Sequence, residues 1–270
     1  MDMDKLFFYP DNRNYGGDPS QEGLGYHNVN FKSRMGTNLH GWFVPSILQP
    51  KATIIHFHGN AANITNHWRL VNWIPKNHYN LFTFDYGGYG SSEGSPDFKS
   101  VHDDCLSAFF FIRSSKLENT GKLIVLGQSI GGAFCLSAVA ADNREDIKGM
   151  LIDSSFDSFQ KIADSKISRI PSFIRHSLVK SLISNEYSPI EGIHRLTMPK
   201  LFIHGTSDQV IPFERGQALF SASIEPKEFI PIFGGTHMSI FRNQLSDHMS
   251  KVISFLDSCS SQHSEISHIH

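Results

Sequence analysis

The chain has 270 residues, 40% of them hydrophobic and 19% charged, with a formal net charge of −2. Those proportions suit one globular domain with a sizeable core and exclude a disordered chain. The near-neutral balance removes any electrostatic case for a nucleic-acid partner, and the three cysteines, lacking metal-ligand spacing, read as reduced thiols of a cytoplasmic protein.

Met1-Asp2-Met3-Asp4-Lys5 lacks a basic n-region and a long apolar run, so no signal peptide is expected, and no stretch is long enough to span a bilayer. Residues 1–25 are rich in Gly, Pro, Asn and Asp and read as an irregular N-terminal arm. Tyr26–Phe31 and Leu39–Val44 alternate apolar with polar residues and suggest an antiparallel hairpin. From Ala52 onward short apolar runs alternate with helix-length segments. The runs are Thr53–Phe57, Asn80–Phe84, Leu123–Leu126, Gly149–Ile152, Leu201–Ile203 and Glu228–Ile232; the helices are expected near 61–74, 98–114, 130–141, 213–222 and 238–257. This is the pattern of an α/β fold, a mostly parallel sheet of about eight strands with helices on both faces.

A single domain is expected over residues 1–257, interrupted at 154–198 by an insertion longer than one crossover helix needs. Pro171, Pro189 and Pro199 divide it, and Ile174, Leu178 and Leu182 form a stripe at four-residue spacing, the mark of a short helical lid over the site. Residues 258–270 read as a flexible tail, whose His263, His268 and His270 are too short a tract to imply a metal site.

Chemistry gathers on the loops that follow four of the apolar runs, where open α/β sheets place their ligands. His58-Gly59-Asn60 follows the first, Gly127-Gln128-Ser129-Ile130-Gly131 the third, His204-Gly205-Thr206-Ser207-Asp208 the fifth and Gly234-Gly235-Thr236-His237 the sixth. G-x-S-x-G between a strand and a helix presents an exposed serine at a strained turn, with small flanking residues avoiding collision. Serine is a poor nucleophile until a base takes its proton, and histidine, with an unperturbed pKa near 6.5, suits that task. Ser129 is therefore the candidate nucleophile, His237 the base and Asp208 the carboxylate that orients the imidazole. The backbone N–H groups of Asn60 and Ile130 are the candidate oxyanion donors.

These stretches resemble the α/β-hydrolase family. They are closest to its small-lid branch of serine aminopeptidase-like hydrolases and hydrolase-domain protein depalmitoylases. The resemblance rests on HFHGNAAN from His56, FDYGGYGSSEGSP from Phe84, GQSIGG from Gly127, HGTSDQVIP from His204 and GGTH from Gly234. It implies the same triad and oxyanion loop, an acyl-enzyme mechanism and no metal or organic cofactor. One departure is Gly87, in the loop that shapes the site entrance, where many relatives carry arginine and depalmitoylase-like relatives do not.

The expected reaction is hydrolysis of a carboxylic ester or thioester, on a small-molecule or acyl-protein substrate. Phe156, Phe159, Ile211, Phe213, Met238 and Ile240 are candidate linings of an apolar acyl pocket. A peptidase is the second reading, and a non-catalytic scaffold the third. Asp153 is a second candidate acid, although Ser154 and Ser155 beside it equally suit a helix N-cap. His67, His78, His102, His176, His194 and His248 read as surface residues, and Asp103 and Asp104 as a solvated helix face. Lys161, Lys166, Arg169, Arg175 and Lys180 make the lid basic, which offers a surface for peripheral membrane contact.

Overall fold

The computed structural model describes residues 6–117, 120–142, 146–167, 171–243 and 246–261. Eight strands build the main sheet: β1 His27–Lys32, β2 Asn38–Val44, β3 Ala52–Phe57, β4 Tyr79–Phe84, β5 Leu123–Gln128, β6 Ile147–Asp153, β7 Lys200–Gly205 and β8 Lys227–Ile232. Their spatial order is β1-β2-β4-β3-β5-β6-β7-β8. β2 runs antiparallel to both its neighbours and the remaining pairs are parallel. The helices are α1 Ile64–Val71, α2 Phe98–Ser114, α3 Ile130–Ala141, α4 Phe159–Lys166, α5 Ser172–Leu182, α6 Phe213–Ala222, α7 Ser239–Asn243 and α8 Ser246–Ser261.

Central strands are apolar on both faces because both faces are covered. Along β3, Ile55 and Phe57 enter one core cluster while Ala52 and Ile54 enter the other; Leu123 and Val125 of β5 likewise oppose Ile124 and Leu126. This period of two puts half of every strand into each layer. The helices begin where polar side chains can satisfy their free N–H groups. Asp97 and Ser100 form a reciprocal capping box on α2, and Asn63 caps α1.

Several expectations need correction. The segment expected to be one helix over 61–74 starts later, because Ala61–Ala62 pair in parallel with Tyr9–Pro10 of the N-terminal arm. The C-terminal helix is two segments, α7 and α8, and α8 runs to Ser261, so the first four residues of the expected tail are helical. His263, His268 and His270 lie outside the described residues, as does Arg169. The lid stripe is also reversed: Ile174, Leu178 and Leu182 are 49%, 39% and 47% exposed, whereas Val179 and Ile183 are buried. An ion pair from Arg175 to Asp164 of α4 at 2.8 Å turns that other face of α5 inward. Asp104, His67 and His102, expected at the surface, are buried. The three cysteines are buried, free thiols. No helix among the described residues is long and apolar enough to cross a membrane.

Candidate active site

Ser129 links β5 to α3 with φ 54° and ψ −123°, a left-handed geometry that non-glycine residues avoid. Serine at a helix N-cap ordinarily bonds the first turn, yet Ser129 makes no such side-chain bond. The strained turn aims its hydroxyl elsewhere. The flanking glycines make the turn feasible: a Cβ on Gly131 would stand 2.3 Å from the carbonyl oxygens of Phe57 and His58, and one on Gly127 would stand 2.6 Å from Gly132 Cα. α3 can therefore press directly on the end of β3.

Asp208, in the loop after β7, receives the Val210 and Ile211 N–H groups on Oδ1 at 2.8 and 2.9 Å. Its Oδ2 accepts a bond from His237 Nδ1 at 2.7 Å. Burial alone would raise this carboxyl's pKa, but bonds from His204 and His237 and the charge of His237 outweigh it, leaving the group well below the usual carboxylate range. A carboxylate only accepts, so His237 carries its proton on Nδ1 and leaves Nε2 as the basic nitrogen. Among the described residues Nε2 takes no protein partner.

The sequence places Ser129 and His237 far apart; the end of β6 ties both down. Ser129 N–H donates to the Asp153 carbonyl at 2.9 Å, and Met238 N–H donates to Ser154 Oγ at 3.0 Å. Asp153, the second candidate acid, makes no bond to the imidazole. Its partners are Gln128 and Ser154.

The oxyanion loop stands beside the nucleophile, since a Cβ on Gly59 would lie 3.7 Å from Ser129 Cβ. Each successive carbonyl of this loop receives a donor. Tyr86 donates to the His58 oxygen, His58 Nδ1 to that of Gly59 at 2.7 Å, Tyr9 N–H and the Tyr89 hydroxyl to that of Asn60 at 3.0 and 2.9 Å, and His67 Nε2 to that of Ala61 at 2.9 Å. No partner takes the N–H of Asn60 or of Ile130 among the described residues. A developing oxyanion requires two such donors held in place.

The six candidate pocket residues do not share one surface. Phe156, Phe159 and Ile211 belong to the core on one face of the sheet, and Met238 and Ile240 to the core on the other. Phe213 is half-buried against His204 and Phe229. Residues the sequence did not single out also reach the site. The arm's Phe7 and Phe8 pack on Phe98, Phe134 and Phe159, and Lys166 Nζ donates to the Leu6 carbonyl. Tyr9 braces Asn60, and His67 stacks on His58 at 5.0 Å. Only the HGNAAN string hinted at the loop's supports; nothing local marked the arm. Asp104 Oδ2 accepts from Gly87 N–H at 2.8 Å, at the position where many relatives have arginine. No group of three or more His, Cys, Asp or Glu side chains among the described residues could hold a metal.

Residues 48–191 match the family model described as serine aminopeptidase, S33. The Escherichia coli K12 protein YfhR is 37% identical over 256 residues, covering 93% of this chain and 86% of that one. Human alpha/beta hydrolase domain-containing protein 17B is 27% identical over 212 residues, covering 77% and 68%. Among solved structures, the Pyrococcus furiosus esterase Pf2001 superposes with a TM-score of 0.77 at 16% identity, over 93% of this chain and 98% of its own. The Exiguobacterium antarcticum esterase EaEST superposes with a TM-score of 0.62 at 17% identity, over 87% and 100%. At such identities the two structures share the fold alone, while the sequence matches go further: this chain is a hydrolase of the α/β-hydrolase family, belonging to its serine aminopeptidase S33 group.

Proposed function

We propose that this hydrolase cleaves carboxylic esters or thioesters through an acyl-enzyme on Ser129. The observation that carries the reading is the 2.7 Å bond from His237 Nδ1 to Asp208, made by a loop anchored on the same strand end as Ser129. His237 Nε2 takes the Ser129 hydroxyl proton as Oγ attacks the carbonyl carbon. The oxyanion settles on the Asn60 and Ile130 N–H groups, worth ~3–4 kcal/mol per donor in the transition state. Collapse breaks the bond to the leaving alcohol or thiol, which receives the proton from His237. Water then attacks the acyl-enzyme, giving its proton to His237, and the acid leaves as Ser129 regains its hydrogen.

A peptidase would use the same groups, so the family description alone does not choose between them. It would also need acidic side chains free to receive a substrate amine. Two of the lid's four acids are engaged in ion pairs, Asp157 with Lys161 and Arg215 and Asp164 with Arg175, which leaves Glu186 and Glu191 as the few that could serve an amine. That favours the ester or thioester reading.

A fluorophosphonate probe should label the wild type and leave Ser129→Ala unlabelled. Acyl p-nitrophenyl esters, acyl-thioesters and aminoacyl-anilides, compared on one preparation, then rank the bond types. A folded wild type that resists the probe, or one that prefers anilides, would sink the reading.

A further inference from the structure

A line of buried polar side chains crosses the sheet beneath the site. Thr83 of β4, His56 of β3, Gln128 of β5 and Asp153 of β6 stand on four neighbouring strands, all buried. Thr83 Oγ1 and His56 Nδ1 are 2.9 Å apart, His56 Nε2 and Gln128 Oε1 3.0 Å, and Gln128 Nε2 and Asp153 Oδ2 3.1 Å. From the other side Ser154 Oγ lies 2.9 Å from Asp153 Oδ1 and receives Met238 N–H at 3.0 Å. The line thus ends on the residue that follows His237.

Its polarity follows from chemistry. A carboxylate can only accept, so Gln128 turns its amide nitrogen to Asp153 and its carbonyl to His56. His56 must then donate from Nε2, and its bare Nδ1 accepts from the Thr83 hydroxyl. Burial pushes the His56 pKa down to about 3, which keeps the ring neutral and suits this single tautomer. Ser154 likewise donates to Asp153 while accepting from Met238. Every side-chain donor along the line points toward Asp153.

A ladder that merely fixed strand register would stop at the sheet edge with relaxed backbone. This one continues into two non-glycine residues in the left-handed region, Ser154 at φ 53° and Met238 at φ 53°. Strain of that kind persists only where the surroundings hold it, and here it flanks the catalytic loop. The titratable groups set against His237 are Asp208 from the loop after β7, His204 of β7 and Asp153 at the end of β6. Burial raises the Asp153 pKa, while the Ser154 and Gln128 donors and the charge of His237 act in the opposite direction.

We propose that Asp153 is a second carboxylate serving His237, a positioning residue that acts through Ser154 to hold the 237–238 backbone. Asp208 makes the direct bond; Asp153 supplies an anchor. The inference rests on His237 being the catalytic base, and its test separates the two ideas.

The His237 ring is followed by NMR with isotope-labelled histidine, its signal assigned by its loss in His237→Asn. Comparing wild type and Asp153→Asn at one pH needs no turnover. The variant should shift the His237 ring signals, because the 237–238 backbone loses its anchor through Ser154. Unmoved signals overturn the proposal. Ser154→Ala is the second variant and keeps the Asp153 carboxyl. It should lower kcat five- to twentyfold with KM within twofold, and an unchanged kcat overturns the anchoring role even if Asp153→Asn fails to fold. Should the wild type resist the fluorophosphonate while the His237 shift is present, the hydrolytic reading falls and the Asp153 coupling stands. Labelling without the shift has the reverse meaning.

Discussion

The rim of the sheet and the helical insertion after β6 are built on opposite terms. At the rim, four successive carbonyls of the oxyanion loop each receive a donor, and Asp208 accepts at both oxygens. In the insertion, α5 turns Ile174, Leu178 and Leu182 outward and rests on the Arg175–Asp164 pair, Val179 and Ile183. The difference teaches where this molecule stores precision. Reacting groups must be held before substrate arrives, since reorganising them during the reaction would forfeit the electrostatic gain. A helix that carries none of those groups is under no such demand.

Substitutions at the two places should diverge accordingly. Asp208→Asn should lower kcat/KM by about 10³–10⁴-fold, because the imidazole loses the partner that sets its tautomer. The carboxyl is depressed in the fold, so its contribution to stability exists above its unfolded pKa and disappears as pH falls through the folded value. The unfolding free energies of wild type and Asp208→Asn should therefore begin to converge as pH falls below about 4 and continue to do so down to the folded value. Parallel curves there would contradict the assignment.

Tyr9→Pro tests whether the arm belongs to the rim. It removes the N–H that holds the Asn60 carbonyl and should lower kcat by roughly tenfold with KM little changed, since an oxyanion donor loosens. Steady-state kinetics showing full activity would return the arm to a packing role.

Asp104 gives a rim-side effect in stability instead of rate. Burial, then the neighbouring Asp103 and Asp97, push its carboxyl up to about 7, against the Gly87 N–H bond. A raised acid favours the fold at low pH, and that advantage is lost as pH climbs from the unfolded value near 4 through the folded one. Asp104→Asn should match wild type in Tm at pH 4 and exceed it by a few degrees at pH 8. Equal melting points at both pH values would refute this.

The smallest effect belongs to the lid. Leu178→Ser removes an outward-facing side chain and should change stability by no more than about 0.5 kcal/mol in chemical denaturation. A loss above about 2 kcal/mol would mean that the stripe is packed after all.

Much of the candidate site's geometry was legible because its signals are local. G-x-S-x-G between an apolar run and a small-residue helix can form little but a sharp turn, and α2 and α6 occupy the expected 98–114 and 213–222. The order of Ser129, Asp208 and His237 after parallel strands likewise put them at one edge. Burial was less legible. His67 and Asp104 look like ordinary polar helix positions, and both are enclosed because their helices press on the rim loops. The α5 stripe misled for a related reason: period four names a face but not the side that meets a partner.

By itself, then, the sequence determined the strand-and-helix rhythm, the two-layer covering and which loops carry the candidate site, since these follow from short-range periodicity and turn stereochemistry. Tertiary structure alone decided that a Phe-rich arm braces the oxyanion loop, that α5 faces outward and that Asp153 is linked through Ser154 to the histidine loop. The arm and histidine-loop contacts join segments 50 and 84 residues apart, and no local pattern encodes which distant groups will share a buried hydrogen bond.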